Sequence, residues 1–113
     1  MKIEKFKIYL ADLSPKRGTE PGKARPVVVV QTDLLNNTHP STIVCPMTTN
    51  VVKESEILRV HASKKESNLE KDSDVLIDQI RAIDNRRFLK PVGKLSLDDQ
   101  EKLLENLKIL LLE

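Results

Sequence analysis

The sequence predicts a mainly β protein of the α+β class, with a small, strongly curved sheet or barrel and one helix packed on it. Short apolar runs, separated by polar segments with Pro, Gly and Asn, fill the first two-thirds or more of the chain. After Ser96 the apolar residues recur with the period of a helix. The 113 residues match the commonest domain size and can bury a real core. We therefore expect a single domain over residues 1–113.

The first two runs predict strands with different surroundings. The apolar residues Phe6, Ile8 and Leu10 alternate with Lys7, Tyr9 and Ala11. Such alternation is typical of a strand that buries one face. The valines 27–30 follow one another without interruption, which is typical of a central strand or of one covered on both sides.

Four further strands are predicted over 43–48, 57–60, 75–83 and, in two pieces, 88–95. Proline has no N–H for a β ladder, so Pro46 should mark an edge, a bulge or the end of its strand. Pro91 should interrupt the last strand in the same way.

The connections have loop chemistry. We expect loops over 13–24, 31–41 and 62–73, the last polar, lysine-rich and mobile. Leu34 and Leu35 can start a helical turn, with Asp33 as its cap.

The last segment predicts a helix over Leu97–Leu112, about 24 Å long. Ser96 is a suitable N-cap, and two aspartates follow in the first turn, where the helix dipole favours anions. An apolar stripe has i, i+3, i+4, i+7, i+8 spacing and is then widened by Ile109 and Leu112. It comprises Leu103, Leu104, Leu107, Leu110 and Leu111. The wide face fits either a thicker core contact or a partner surface, and we favour the core contact.

Composition excludes several classes of protein. One cysteine, Cys45, permits no internal disulfide, and with His39 and His61 it makes no metal-ligand pattern. Residues 1–9 alternate charged and apolar side chains, so we expect no signal peptide, and no apolar run is long enough to span a bilayer. We therefore expect a cytoplasmic protein without membrane contact. The net charge of +2 does not itself demand nucleic acid, but residues 1–25 and 79–94 are basic enough to form one basic face.

Arg25 is the most sharply placed candidate for a functional site. It ends a loop with two glycines, precedes Pro26, which favours extended backbone, and leads into the valine strand. Five donors and a permanent charge suit a phosphate, although an ion pair with Glu20 explains the residue equally well. Thr48 and Thr49 end the third strand, where a hydroxyl donates to a phosphate oxygen or, more commonly, caps a turn.

Asp78, Gln79 and Arg81 form a second candidate group. In a strand, Gln79 and Arg81 share one face and can contact base edges or phosphates. A structural network that joins Arg81 to Asp78 or Asp84 is equally consistent. Both histidines are expected at the surface, and Cys45 is expected to be a buried, inert thiol.

Six motifs occur in the order and spacing of the MazF/PemK family, the growth-inhibiting toxins of bacterial toxin–antitoxin pairs, which the chain resembles over about residues 5–112. These motifs are Asp12–Pro15, Gly18–Glu20, Arg25–Val29, Pro46–Thr49, Asp78–Asp84 and Gly93–Ser96. One departure is Phe6, which stands where many members have glycine, so the local turn is in question.

The resemblance implies an SH3-like (PemK/CcdB-like) β-barrel that acts as a homodimer. It also implies a metal-independent endoribonuclease without cofactor, which cuts single-stranded RNA and leaves a 2′,3′-cyclic phosphate and a 5′-hydroxyl. A cognate antitoxin is the implied protein partner. Arg25 and Thr48 match the family's catalytic pair, and Glu20 matches an acidic loop residue near the site. The resemblance also implies RNA contacts in the segment that holds Asp78, Gln79 and Arg81, where some members place them. We further expect RNA to be bound by Lys16, Arg17, Thr19, Lys23 and Thr49.

Two other functions fit the sequence less well. A toxin of the same fold that poisons DNA gyrase, like the CcdB relatives, does not need the pair Arg25 and Thr48. An SH3-like binding module normally has an aromatic-lined groove, and the chain has only three aromatic residues.

Overall fold

The structure, a computed structural model, describes residues 1–14, 23–55 and 57–113. Within these ranges the chain forms seven strands, two α-helices and two short 3₁₀ turns. The strands are β1 (Lys7–Asp12), β2 (Ala24–Val29), β3 (Ser41–Thr48), β4 (Arg59–Ala62), β5 (Ser73–Leu76), β6 (Arg81–Asp84) and β7 (Phe88–Lys94). The helices are α1 (Lys64–Ser67) and α2 (Leu97–Leu112), and the 3₁₀ turns are Ile77–Gln79 and Asn85–Arg87.

All strand pairs are antiparallel, in the order β4-β5-β3-β2-β1-β7, and β6 pairs with the first half of β3. Among the described residues β4 and β7 do not pair with each other, so the sheet is barrel-like but open. The predicted class, a small barrel-like sheet with a C-terminal helix, is confirmed.

Two apolar cores lie on opposite faces of β1, β2 and β3. The first contains Ile8, Val28, Cys45, Met47, Val60, Ala62, Val75, Ile77, Leu95 and Leu103. The second contains Ile3, Tyr9, Ala11, Leu13, Val27, Val29, Val44, Ile83 and Phe88. The valine strand is therefore covered on both sides, as predicted.

Strand β1 is also covered on both sides, so the prediction of one exposed face is wrong. Tyr9 is 1% exposed and Ala11 is fully buried. The ring of Phe88 meets that of Tyr9 edge-on at 5.3 Å. The Tyr9 hydroxyl donates to the carbonyl of Lys2 at 3.0 Å and accepts from the Glu4 N–H at 2.9 Å. The N-terminal segment thus covers the face of β1 that carries Tyr9. The alternation of apolar and polar residues alone predicts that this face is exposed to solvent.

Of the two strand prolines, Pro46 does not act as predicted, whereas Pro91 lies on an edge strand beside an irregular register, as predicted. Pro46 is buried inside the eight-residue strand β3, opposite Val27. It lies between the part of β3 that pairs with β6 and the part that pairs with β5, where neither neighbour needs its N–H. Pro91 does not end β7, which continues to Lys94 with irregular register beside it. Strand β7 is at the edge of the sheet, where proline is tolerated.

Several element bounds differ from the predictions. The fourth strand begins at Arg59, because Leu58 has a left-handed backbone with φ 67°. The predicted strand 75–83 is divided by the 3₁₀ turn Ile77–Gln79. The predicted loop 62–73 contains helix α1, which the Ser63 side chain caps.

Two turns, one after Gln31 and one at Phe6, differ in detail from what the sequence predicts. Thr32, not Asp33, caps the turn: its hydroxyl accepts from the Leu34 N–H at 3.2 Å. Phe6 adopts φ 69°, a region that glycine favours. The turn still forms, because the Phe6 N–H donates to Val29 and its carbonyl accepts from Leu95.

Helix α2 has the predicted bounds and N-cap, since the Ser96 hydroxyl accepts from the Asp99 N–H at 3.2 Å. Its buried side is narrower than predicted and consists of Asp99, Leu103 and Asn106. Five apolar side chains of the helix remain exposed, so the core-contact interpretation of the wide face is wrong. They are Leu97, Leu104, Ile109, Leu111 and Leu112. Neither helix has the length and hydropathy that crossing a bilayer requires, within the residues described.

Candidate active site

The pairing of β2 with β3 brings the two main candidates together. Val27 lies opposite Pro46 in this antiparallel pair. Continuing the register by two residues sets Arg25 opposite Thr48, on the face that also carries Val27 and Val44. Directly opposed side chains lie about 5 Å apart at Cβ. The continued register therefore predicts a guanidinium and a hydroxyl side by side at one end of the sheet.

Arg25 is half-buried at the start of β2, where it pairs with Ala11. No carboxylate in the described ranges lies within ion-pairing distance of it. Glu20, its alternative partner, lies outside those ranges. A guanidinium at a strand end without a carboxylate partner in the described ranges suits a phosphate.

Thr48 is half-buried at the end of β3. Its Oγ1 accepts a hydrogen bond from the Asn50 N–H at 3.1 Å. This is the turn-capping contact that the sequence also allowed. Because the backbone uses only an acceptor site of the oxygen, the hydroxyl can still donate its own proton to a ligand.

The second candidate group is split between two elements. Asp78 and Gln79 are exposed in the 3₁₀ turn, so the prediction that Gln79 shares a strand face with Arg81 is wrong. Arg81 is exposed on β6 opposite Val44, and therefore on the same sheet face as Thr48. The predicted network to Asp84 is absent among the described contacts. Asp84 instead pairs with Arg86 at 3.0 Å, which lowers the pKa of that carboxyl to about 2.

The remaining predicted residues have simpler outcomes. Lys23 and Thr49 are exposed. Lys16, Arg17, Thr19 and Glu20 lie outside the described residues. His39 is at the surface as predicted. Cys45 is fully buried, and burial together with the charge of Asp78 raises its pKa to about 12, which fits an inert thiol.

A cleft of about 600 Å³ lies beside the site, on the opposite sheet face. Pro26 and Thr49 contribute to it, and the loop after α1 forms its far wall. The lining carries two lysines, Lys71 and Lys90, and one acid, Glu70. Neither Arg25 nor Thr48 lines this cleft, so among the described residues it adjoins the candidate pair without containing it.

A buried cluster next to Thr48 was missed by sequence reasoning. Asp74 lies opposite Thr48 on β5, and its side chain is fully buried. It accepts from Arg59 Nη1 at 2.9 Å, and its other oxygen lies 2.6 Å from His61 Nδ1. The His61 side chain is 38% exposed, so the histidine lies at the surface as predicted, but it also contacts the buried Asp74. Its Nε2 is buried without a partner among the described atoms.

Burial raises the pKa of Asp74, but hydrogen bonds from the Val52 N–H, His61 and Arg59 outweigh burial and hold the pKa below its ordinary value. The carboxylate is therefore charged at neutral pH. The sequence does contain a signal for the cluster. Arg59 and His61 alternate along one strand, and an acid directly precedes the apolar run Val75–Ile77. Recognising it requires the register of β4 on β5.

Comparison with known proteins establishes the family to which this chain belongs. The family described as PemK-like, MazF-like toxin of type II toxin–antitoxin system matches residues 4–111. The chain belongs to this family. The Endoribonuclease MazF of Staphylococcus epidermidis is 39% identical to this MazF-like chain over 103 residues, covering 91% of the chain and 83% of that relative.

Solved structures share the fold of the MazF-like chain at lower identity. MazF from Deinococcus radiodurans superimposes with a TM-score of 0.80 at 22% identity, covering 98% of this chain and 97% of that one. The Mycobacterium tuberculosis toxin MazF-mt6 gives a TM-score of 0.75 at 22% identity, covering 91% and 93%. A MazE–MazF structure from Deinococcus radiodurans gives 0.78 at 20% identity, covering 98% and 97%. At this identity the likeness establishes the fold alone.

Proposed function

We propose that this family member is an endoribonuclease that cleaves single-stranded RNA at short sequences and acts as the toxin of a toxin–antitoxin pair. The observation that supports the proposal is the β2–β3 register, which pairs Val27 with Pro46 and, continued by two residues, would bring Arg25 opposite Thr48. The Staphylococcus epidermidis relative, named an endoribonuclease, supports it.

The reaction is attack of a ribose 2′-hydroxyl on the adjacent phosphorus. A bond forms between phosphorus and the 2′ oxygen, and the bond to the 5′ oxygen breaks. The 2′-hydroxyl loses a proton and the leaving 5′ oxygen gains one. The products are a 2′,3′-cyclic phosphate and a 5′-hydroxyl, and DNA is not cut because it lacks the nucleophile.

Each candidate residue has a part in this chemistry. Arg25 stabilises the extra negative charge that develops on the phosphoryl oxygens, and the buried valines hold it in place. The Thr48 hydroxyl donates to a non-bridging oxygen and helps to hold the phosphate for in-line attack. Arginine is always protonated, so it is not the base. We assign that role to Glu20, which has a suitable carboxylate.

The RNA path follows from the other candidates. The exposed side chains of Lys23, Thr49, Gln79 and Arg81 suit phosphates and base edges, and Asp78 can accept from a base. Lys16, Arg17 and Thr19 belong to the same proposed surface. No metal or other cofactor is required by the reaction, since arginine and the hydroxyl supply the electrostatic stabilisation.

The test is cleavage of a long single-stranded RNA by purified protein, with the ends mapped and the products labelled at the 5′-hydroxyl. We expect Arg25→Ala and Thr48→Ala each to lower the rate about 10²–10³-fold, as removal of a transition-state donor does elsewhere. Matched controls are Arg86→Ala and Thr38→Ala, which change an exposed arginine and threonine away from the site. Near-wild-type rates in both site variants would refute the assignment.

A wild-type protein that cuts no RNA, but inhibits DNA supercoiling by gyrase, would favour the CcdB-like alternative instead. Cleavage with chelator present, and none of the matching DNA, would distinguish the proposed chemistry from that of a metal-dependent nuclease.

The proposal includes a cytoplasmic homodimer and a cognate antitoxin. The exposed apolar side chains of α2 offer an apolar surface for a second copy. The Deinococcus radiodurans MazE–MazF structure supports an antitoxin partner. Light scattering should give twice the chain mass, and a co-expressed antitoxin should abolish RNA cleavage.

A further inference from the structure

The strand segment that carries Thr48 continues into a short connection, residues 48–52, which the Asp74 cluster holds from one side. Asp74 Oδ2 accepts from the Val52 N–H at 3.0 Å and from Arg59 Nη1 at 2.9 Å. The same Nη1 donates to the Asn50 carbonyl at 2.9 Å. One buried carboxylate thus fixes both the far end and the middle of the connection.

The contacts lead to the hydroxyl of Thr48. Asn50 is held through its carbonyl by Arg59, and its N–H donates to Thr48 Oγ1 at 3.1 Å. A series of direct contacts therefore runs from Asp74 through Arg59 and Asn50 to Thr48. His61 Nδ1 meets the other oxygen of Asp74 and completes the set of partners on the described residues.

The free-energy cost of burying the Asp74 carboxylate indicates that this residue does more than fill space in the core. The Asp74 side chain is fully buried, and a buried charge is expensive even when paired. Apolar side chains would fill the same volume without that cost. What apolar side chains cannot do is accept from the Val52 N–H and align Arg59 on the Asn50 carbonyl.

We propose that Asp74 is a positioning residue for the endoribonuclease reaction: with Arg59 as its bridge to Asn50, it sets the orientation of the Thr48 hydroxyl toward the scissile phosphate. The inference rests on the proposed function, because it takes Thr48 as the group that contacts the phosphate. Asp74 itself is buried and touches no substrate.

The first test measures kcat and KM on a short RNA that spans a mapped cleavage site. Asp74→Asn should lower kcat by about 10- to 100-fold, since small displacements of a catalytic group have effects of that size, while KM stays nearly unchanged. Asp84→Asn is the matched control, because it changes an aspartate of an ion pair on the far part of the sheet. It should leave both constants unchanged.

A double variant distinguishes positioning from a general loss of stability. If Asp74 acts through Thr48, adding Asp74→Asn to Thr48→Ala should lower kcat little further. Two losses that multiply would overturn the inference, as would a wild-type kcat in Asp74→Asn. Melting temperatures of all variants set an assay temperature at which each is folded.

Arg59 variants decide the question if Asp74→Asn does not fold. Both hydrogen bonds of Arg59 come from one nitrogen, so the single ammonium of Arg59→Lys can replace them, whereas Arg59→Met cannot. We expect kcat to fall in Arg59→Met and to be largely restored in Arg59→Lys. Equal kcat in the two variants overturns the inference. Absence of cleavage by the wild type would instead refute the proposed function, and the inference, which rests on it, would fall as well.

Discussion

Leu58 shows at the scale of one residue how helix α2 stabilises the sheet. Its φ of 67° is unfavourable for a residue with a side chain. The backbone is held there from two sides. The Leu58 N–H donates to Asn106 Oδ1 at 2.6 Å, and the Leu58 carbonyl accepts from the Ile77 N–H at 3.0 Å. The buried side-chain amide of Asn106 on the helix thus provides an acceptor for the N–H of Leu58, in the strained turn before β4.

We predict that Asn106→Ala lowers the free energy of unfolding by about 1–3 kcal/mol, the cost of leaving a partly buried N–H unpaired. Urea unfolding followed by circular dichroism measures it. Glu105→Ala is the control, since this neighbouring side chain is exposed on the same helix. It should change stability by less than about 0.5 kcal/mol. A midpoint for Asn106→Ala equal to that of the control would contradict the prediction.

At the scale of elements, α1 packs so closely on β7 that only glycine fits at the contact. A Cβ on Gly93 would overlap the Ser67 carbonyl oxygen, which belongs to the backbone at the end of α1. Gly93 also lies opposite Ile8 in the sheet. Neither backbone can move without disturbing the sheet or the cap that Ser63 provides to α1.

Gly93→Ala should therefore destabilise the protein by about 1–3 kcal/mol, as overpacking does in other cores. Lys94→Ala, an exposed change in the same strand, should have little effect. Thermal unfolding compares the two. Because α1 precedes the wall of the cleft beside the site, hydrogen exchange should also increase in residues 64–71 of the glycine variant. A wild-type melting temperature would show that α1 is free to shift.

The elements that could be predicted from sequence are those with local causes. Helix α2 follows from the Ser96 cap and a 3.6-residue period, and both operate within the segment itself. The covering of Tyr9 and the break at Ile77–Gln79 depend on chain that arrives from elsewhere, so no local pattern reports them. Helix α1 was missed because its four residues are polar and its stability comes from caps and from Gly93.

The candidate site likewise contains residues that could be predicted from local sequence and one that could not. Arg25 and Thr48 could be proposed from sequence because each stands in a recognisable motif, and the β2–β3 pairing of Val27 with Pro46 supports their proximity. Asp74 is not predictable in isolation. An aspartate among polar residues normally indicates surface, and the burial of Asp74 depends on the Arg59 and His61 side chains supplied by another strand, β4.

At the scale of the whole molecule, several carboxylates link stability to pH. The pKa values of Asp12, Asp33, Asp74 and Asp84 are all lowered by hydrogen bonds or ion pairs in the folded state. A depressed pKa means that the unfolded chain binds protons more readily. These groups therefore stabilise the fold above the unfolded pKa of about 4, and the stabilisation is lost as pH falls below it.

Asp84 allows this linkage to be measured on one group. Its pKa of about 2 results from the hydrogen bonds and charge of Arg86. We predict that Asp84→Asn lowers the free energy of unfolding by a constant amount above about pH 5, and that the difference from wild type shrinks as pH falls from about 4 to 2, where wild-type Asp84 also becomes protonated. Urea unfolding across this range measures the difference. Arg86→Ala should give the same pattern, because it removes the partner that lowers the pKa. A difference that stays constant down to pH 2 would show that the ion pair does not form in solution.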